Sequence, residues 1–396
     1  LLEKMPMAEQ YQITGHRGAA SYGLQKLMWV RDNQPDIYQN THKALNAKDY
    51  ILYKLTGVFM TEPTDASSFG CMDLRTNRWS DKIVQASGVD ERKLPDIMPS
   101  THVAGYVTRE AAQATGLKAD TPVVLGGGDG VCANVGAGSV KPGKTYCSLG
   151  SSSWVATTSE QPVLDEHMRT MCWPHIVPGY YSPNGTMQTG GGAYNWLKTN
   201  VCKWETQEAA AHHISPYQLI NQEIEGSAPG ANGVLFLPYL LGERAPRWDP
   251  LARAAFLGVK MENTRGDLLR SLLEGITMNL ALILRILQKH TPIEEVLVIG
   301  GGAKGAVWAQ IIADIFGVPA QVPRVLEEAT SMGAAITGGV GVGLFKDFGI
   351  VDQMIHINQT YQPRPEHRKL YDRSMRLFDQ AYHALGDLHL AMAEKE

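Results

Sequence analysis

The chain has no excess of either charge. Lys+Arg 36 stand against Asp+Glu 40, a formal net charge of -4 over 396 residues. Without a basic surplus there is little to neutralise a phosphate backbone, so a nucleic-acid partner is excluded. Neither sign is strong enough to draw the protein to a membrane surface. Long apolar runs are missing as well. The longest stretches fall well short of the ~20 residues that a membrane span needs, and no signal peptide is visible. Cysteine is scarce: Cys71, Cys132, Cys147, Cys172 and Cys202 are odd in number, widely spaced and free of any CxxC pair. That argues against a disulfide framework and a zinc site, and leads us to expect a reducing cytoplasm. The 12 histidines show no HExxH spacing, and no Gly-x-Ser-x-Gly elbow supports a serine hydrolase.

Glycine is abundant, with 40 residues, and it is clustered at Gly126-Gly127-Gly128, Gly190-Gly191-Gly192 and Gly300-Gly301-Gly302. Two clusters follow short apolar runs that read as buried strands, Thr121 to Leu125 and Val296 to Ile299. After the second, Ala306 to Phe316 has helical periodicity and stops at Gly317. Strand, glycine turn, helix is therefore the repeated unit, and it hints at two related lobes facing one cleft. Elsewhere the pattern predicts helices over Gln25–Asp32 and Lys43–Leu55. It predicts a strand and a helix within Val103–Thr115, and two strands around a Gly-Ser turn within Lys144–Thr157. A long buried helix is expected over Arg265–Gln288. The length suggests more than one domain, with a boundary near residues 138–142, at the Pro142-Gly143 dipeptide.

Four segments can carry chemistry. Asp129, at the end of an apolar run and between glycines, is a carboxylate placed to accept a proton from a hydroxyl, and it reads equally as an ordinary Asp-Gly turn. The turn Ser148 to Ser153 is small enough for backbone N–H groups and hydroxyls to approach an anion, or it is a hairpin with a polar tip. Gly300-Gly301-Gly302-Ala303, at a strand-to-helix junction, lets a flat ring or a phosphate lie against the backbone, or it is a structural turn. Leu240 to Pro250 holds Glu243, Arg244, Arg247, Trp248 and Asp249 between prolines, and lines a cleft or forms a salt-bridged surface loop.

Taken together, and in this order and spacing, the segments resemble the FGGY carbohydrate kinases. One family signature is matched by Ser21 to Asn33 (SYGLQKLMWVRDN), departing at Gly23, and the second by Ala254 to Glu274, with Leu272 off pattern. Between and beyond lie Lys48-Asp49-Tyr50, Leu55-Thr56-Gly57, Asp65-Ala66-Ser67, Arg78-Trp79-Ser80, Gly242-Glu243-Arg244 and Trp308 through Asp314. The resemblance implies an α/β, two-domain actin- and hexokinase-like (ribonuclease H-like) fold. Residues 1–138 would be the remainder of the sugar-binding domain and 139–396 the ATP-binding domain. It implies ATP-dependent phosphorylation of a sugar hydroxyl, with a pentulose such as D-xylulose preferred and gluconate, another ketose or a polyol as alternatives. A non-catalytic nucleotide-binding relative and an unrelated α/β enzyme are the competing readings.

By the same resemblance Asp129 is the proton-accepting aspartate. Gly150, Ser151 and Ser152 form the phosphate-binding turn, and Gly301, Gly302 and Ala303 the adenosine-binding segment. Glu328 to Ala335 closes around the adenine, and Ser21 and Gly130 belong with Asp129 on the sugar side. Mg²⁺ is expected with ATP, and a homodimer is the family habit. Family members begin with an Asp-x-Gly-Thr strand-turn-strand that contacts phosphate and metal. That motif and a Met-His-Gly type segment are not found here. Roughly the first hundred residues of a typical member are therefore expected to be missing, and this chain alone is expected to be inactive or nearly so. Gly130 stands where xylulokinases usually carry Asn; Asp-Gly at this point also occurs in gluconokinase-like relatives.

Overall fold

The structure, a computed structural model, describes residues 1–325 and 327–394. It divides into two compact units that are discontinuous in sequence. Unit 1 comprises Leu1–Lys144, Thr157–Pro183 and Glu328–Ile355; unit 2 comprises Thr145–Ala156, Asn184–Glu327 and His356–Glu396.

Unit 1 is built from short helices with two-stranded ribbons between them. Helix ends follow local chemistry. Thr108 accepts a hydrogen bond from the Ala111 N–H and opens Arg109–Thr115, which closes on Gly116 in the left-handed region. Helix Gly23–Asn33 places Leu24 and Leu27 in a cluster with Phe69, Ile83 and Val84. Helix Ala47–Thr56 begins later than the apolar pattern suggested. A second cluster joins Val131, Cys132 and Val135 of helix Asp129–Gly136 to Ile176, Ile336 and Val351. Helix Ala329–Gly341 crosses helix Asp129–Gly136 with backbone against backbone. A methyl group on Gly136 would stand 1.8 Å from the Ala329 carbonyl oxygen, and one on Gly333 1.8 Å from that of Cys132. Only glycine permits this approach.

Unit 2 holds, wholly or in part, six strands of a mixed seven-stranded sheet, in the order Ile357–Tyr361, Ala320–Pro323, Val296–Ile299, Thr145–Leu149, Ser153–Thr157, Tyr181–Met187. Val296–Ile299 runs parallel to both neighbours, and residues 184–187 of the last strand run antiparallel to Ser153–Thr157. Thr145–Leu149 and Val296–Ile299 are buried throughout, which is why they read as continuous apolar or small-residue runs. The long helix Arg265–Leu287 opens with a capping box between Thr264 and Asp267, and almost every residue of it is buried. Trp308, on helix Ala306–Phe316, packs into the same core and donates from Nε1 to Thr277 Oγ1 at 3.1 Å. Among the described residues no helix is long and apolar enough to cross a membrane.

Candidate active site

Asp129 is the first residue of helix Asp129–Gly136, with Gly128 as its N-cap. The expected buried strand before it is corrected to Pro122–Val124, half-exposed and paired only with Val103–Tyr106 in a two-stranded ribbon. Three residues are too few to reach a core, so what anchors the turn is a hydrogen-bond relay rather than a sheet. Thr64 Oγ1 accepts from the Gly128 N–H at 2.7 Å and donates to Glu62 Oε1 at 2.7 Å. Glu62, fully buried, also accepts from the N–H groups of Thr64 and Asp65 and from Ser100 Oγ. Gly126 has a φ of +76°, which favours glycine. The Asp129 carboxylate is exposed, with Oδ1 accepting from the Gly130 N–H at 2.7 Å, and a methyl group on Gly130 would meet nothing within 4 Å. This is a fixed carboxylate with open space beside it.

Behind the turn lies a buried charge cluster. Lys48 Nζ stands 2.8 Å from Asp49, 3.6 Å from Asp65 and 3.8 Å from Glu62, and reaches the Leu125 carbonyl at 3.4 Å. Burial pulls the ammonium toward neutrality, but the three carboxylates, Glu62 first, outweigh it and raise its pKa. Burial also pushes Asp65 up to about 6. Ser21 is exposed in the turn before helix Gly23–Asn33, the helix whose Leu24 and Leu27 lie in the other core cluster. The link between its region and the Asp129 turn is the short helix Pro63–Ser67: Ser67 Oγ meets His16 Nε2 at 2.9 Å, while Thr64 holds Gly128. His16 is buried beside Trp173 and is kept neutral by burial, with a pKa lowered to about 3.

In unit 2 the glycine turns meet. Ile299 pairs with Ser148, so the turns that leave those two strands start side by side. Gly300 has a φ of +88°, and a methyl group there would stand 2.8 Å from the Leu149 carbonyl oxygen. The third cluster, for which the sequence suggested no role, completes the site. Gly190 and Gly192 donate N–H bonds to the Ser151 carbonyl at 3.0 and 2.9 Å, and Gly191 donates to that of Gly150 at 2.8 Å. The backbone of 190–192 thus braces the Gly150–Ser152 hairpin from beneath. Ser151 and Gly301 are exposed, and Gly150, Ser152 and Gly302 are half-buried. Ala303 is buried, so its side chain packs rather than facing solvent. Residues 328–335 lie in unit 1, where Gly333 is taken up by the helix crossing, whereas 148–153, 190–192 and 300–303 all lie in unit 2. Flat, side-chain-poor backbone with hydroxyls at its edge is a surface that a nucleotide's phosphates and ring can approach. Among the described residues no group of three or more His, Cys, Asp or Glu is set to hold a metal. A Mg²⁺ carried by phosphates needs no such cage.

The FGGY family of carbohydrate kinases is matched by its N-terminal domain model over residues 1–136 and by its C-terminal domain model over 145–342. A gluconokinase of Bacillus licheniformis is 30% identical over 393 residues, 99% of this chain and 76% of that protein. A xylulose kinase of Staphylococcus epidermidis is 32% identical over 364 residues, covering 91% and 71%. The structure of ligand-bound xylulose kinase from Lactobacillus acidophilus superposes with a TM-score of 0.88 at 26% identity, over 97% of this chain and 76% of that one. The chain therefore belongs to the FGGY family of carbohydrate kinases, enzymes that phosphorylate sugars with ATP.

Proposed function

We propose that the sugar is a pentulose such as D-xylulose and that Asp129 takes the proton from its attacking hydroxyl. The observation that carries this is the state of Asp129: an exposed carboxylate, fixed at a helix start between two glycines, with open space beside Gly130. A hydroxyl becomes a competent nucleophile as its proton passes to a positioned base, and phosphoryl transfer is otherwise mostly positioning and charge stabilisation. In this reading the hydroxyl oxygen bonds to the terminal phosphorus of ATP, the bond to ADP breaks, and Asp129 holds the proton until release. Ser151 and Ser152 offer hydroxyls and Gly150 open backbone to the phosphates. Gly301 and Gly302 let the nucleotide lie close, with Ala303 holding their turn through its packing. Ser21 and Gly130 fall on the sugar side. Mg²⁺, expected with ATP, would supply positive charge to offset that of the phosphates. The cytoplasm fits the five free, buried cysteines, and pairing of two copies follows from the family resemblance.

A second reading, gluconate as acceptor, is favoured by Gly130 and by the likeness to a gluconokinase. A coupled ADP assay of the intact gene product over D-xylulose, D-gluconate and related ketoses and polyols decides between them. ADP release that depends on D-xylulose is expected. Turnover of D-gluconate alone would move the chain to the second reading. ATP binding without sugar-dependent ADP release would favour a non-catalytic relative.

A further inference from the structure

The loop Leu240–Pro250 contributes nothing directly to the surface described above, yet its Glu243 is 4% exposed and fully engaged. Oε1 accepts from the Gln188 N–H at 2.5 Å and from the Arg244 N–H at 2.8 Å, and Oε2 accepts from Asn279 Nδ2 at 2.9 Å. Gln188 lies two residues before Gly190, where the strand Tyr181–Met187 gives way to the brace under the Gly150–Ser152 hairpin. The Ala245 N–H adds a bond to the Thr186 carbonyl at 3.1 Å, so the loop runs alongside the end of that strand. Asn279 sits on the buried helix Arg265–Leu287 and accepts from Tyr239 Oη at 3.3 Å, and Tyr239 in turn accepts from Arg247 Nε at 3.4 Å. A buried carboxylate with three donors is costly unless each bond is made. A carboxylate kept at such a position ties the strand end to the longest helix of the unit.

We propose that Glu243 is a positioning residue for ATP: through the Gln188 N–H it sets the Gly190–Gly192 brace, and through the brace the Gly150–Ser152 hairpin that receives the phosphates. The inference rests on the reading that this hairpin binds nucleotide. A carboxylate-to-amide exchange tests it without changing shape. In Glu243→Gln one amide oxygen can still accept from Gln188 and Arg244, but the new N–H₂ faces the Asn279 N–H₂, which keeps only its long bond to the Ala245 carbonyl at 3.4 Å. Asn279→Asp on top of it restores an acceptor.

The experiment measures the Kd of ATP with Mg²⁺ by calorimetry. It also measures kcat and both KM values with whichever of D-xylulose and D-gluconate the protein phosphorylates. Glu243→Gln is expected to weaken ATP about 10-fold, the effect of one charge-assisted bond. The sugar KM and kcat should stay within about twofold, and the double variant Glu243→Gln/Asn279→Asp should recover most of the loss. Gly191→Ala is the reference, since its methyl group would stand 2.6 Å from the Gly150 carbonyl oxygen and must displace the hairpin. If Gly191→Ala weakens ATP and Glu243→Gln does not, or if Glu243→Gln shifts both KM values alike with no recovery in the double variant, the positioning role is overturned. If Gly191→Ala leaves ATP binding intact, the nucleotide assignment of the hairpin fails instead. Should Glu243→Gln fold poorly, the double variant alone decides: near-normal ATP binding supports the relay, and a 10-fold loss in a folded protein overturns it.

Discussion

In unit 1 the turn before Asp129 is held by a two-stranded ribbon, a backbone bond from the Gly126 N–H to the Ser100 carbonyl, Lys48 on the Leu125 carbonyl, and the Thr64 hydroxyl, which hands the Gly128 N–H on to the buried Glu62. In unit 2 the turns leave buried strands of a mixed sheet, and they brace one another through three backbone hydrogen bonds. Both regions use a buried glutamate as the anchor, Glu62 in one and Glu243 in the other, but at different removes. The first acts through a side chain that can be deleted. The second binds backbone N–H groups that cannot. A turn that must present a reacting carboxylate is held by a few specific bonds, and a turn that must present bare backbone is held by strand pairing. The difference predicts that unit 1's turn loosens when the Thr64 hydroxyl is removed, whereas unit 2's turns loosen by added volume at 190–192 or by loss of the Glu243 carboxylate that holds the Gln188 N–H.

The largest effect is expected at Asp129 itself. In the intact gene product, Asp129→Ala should lower kcat by at least about 100-fold, the low end for loss of a general base, with the KM for ATP little changed. Stopped assays of ADP formation check it, and near-normal turnover removes Asp129 from its role. Next comes Glu243, whose carboxyl is pushed by burial from its ordinary 4.5 up to about 7. A carboxyl that is harder to ionise when folded contributes stability while protonated, and that contribution is lost as pH rises from about 4.5 to about 7. Between those limits the wild type should lose on the order of 3 kcal/mol relative to Glu243→Gln. Urea melts of both proteins across that window measure it, and parallel pH profiles would deny the buried carboxylate.

Smaller is the helix crossing that carries Asp129. Gly333→Ala forces a methyl group against the Cys132 carbonyl and should cost about 2 kcal/mol by overpacking. Its melting midpoint, set against that of Gly338→Ala, where the added methyl would meet nothing within 4 Å, isolates the clash. Smallest is Thr64→Val, which keeps shape but strands the Gly128 N–H. We expect roughly a fivefold to tenfold fall in kcat, about 1 kcal/mol, with ATP binding unchanged. An equal fall in ATP affinity would blur the contrast between the two regions.

Much of this was legible in the sequence where period and punctuation agree. Helix Arg265–Leu287, the strand pair around Gly150, and helix Ala306–Phe316 closing on Gly317 lie where the apolar spacing put them. Three things were not legible. Pro122–Val124 reads like a core strand, but only partner strands make a core, and it has one. The brace at 190–192 was visible as a glycine cluster opening a helix, while its target, the carbonyls of Gly150 and Ser151, lies about 40 residues away in sequence and has no local signal. Glu243 looked like a surface or cleft charge because burial of a polar loop depends on distant partners such as Asn279.

Letter patterns also mislead. Gly138 to Thr145 (GSVKPGKT) fits the spacing of a P-loop, yet a helix, Asp129–Gly136, precedes it and a buried strand, Thr145–Leu149, follows, the reverse of strand, loop, helix. Gly300, Gly302 and Gly305 fit a dinucleotide fingerprint, yet a 3₁₀ turn, Gly301–Lys304, separates the strand from its helix. Context, not the letters, decides.

Amide hydrogen exchange with and without ATP and Mg²⁺ tests the central claim most directly. If the nucleotide rests on unit 2's glycine turns, exchange slows in peptides covering 148–153, 190–192 and 300–304, and is unchanged at 126–130 until sugar is added. Protection confined to other segments, with those three untouched, would contradict the account.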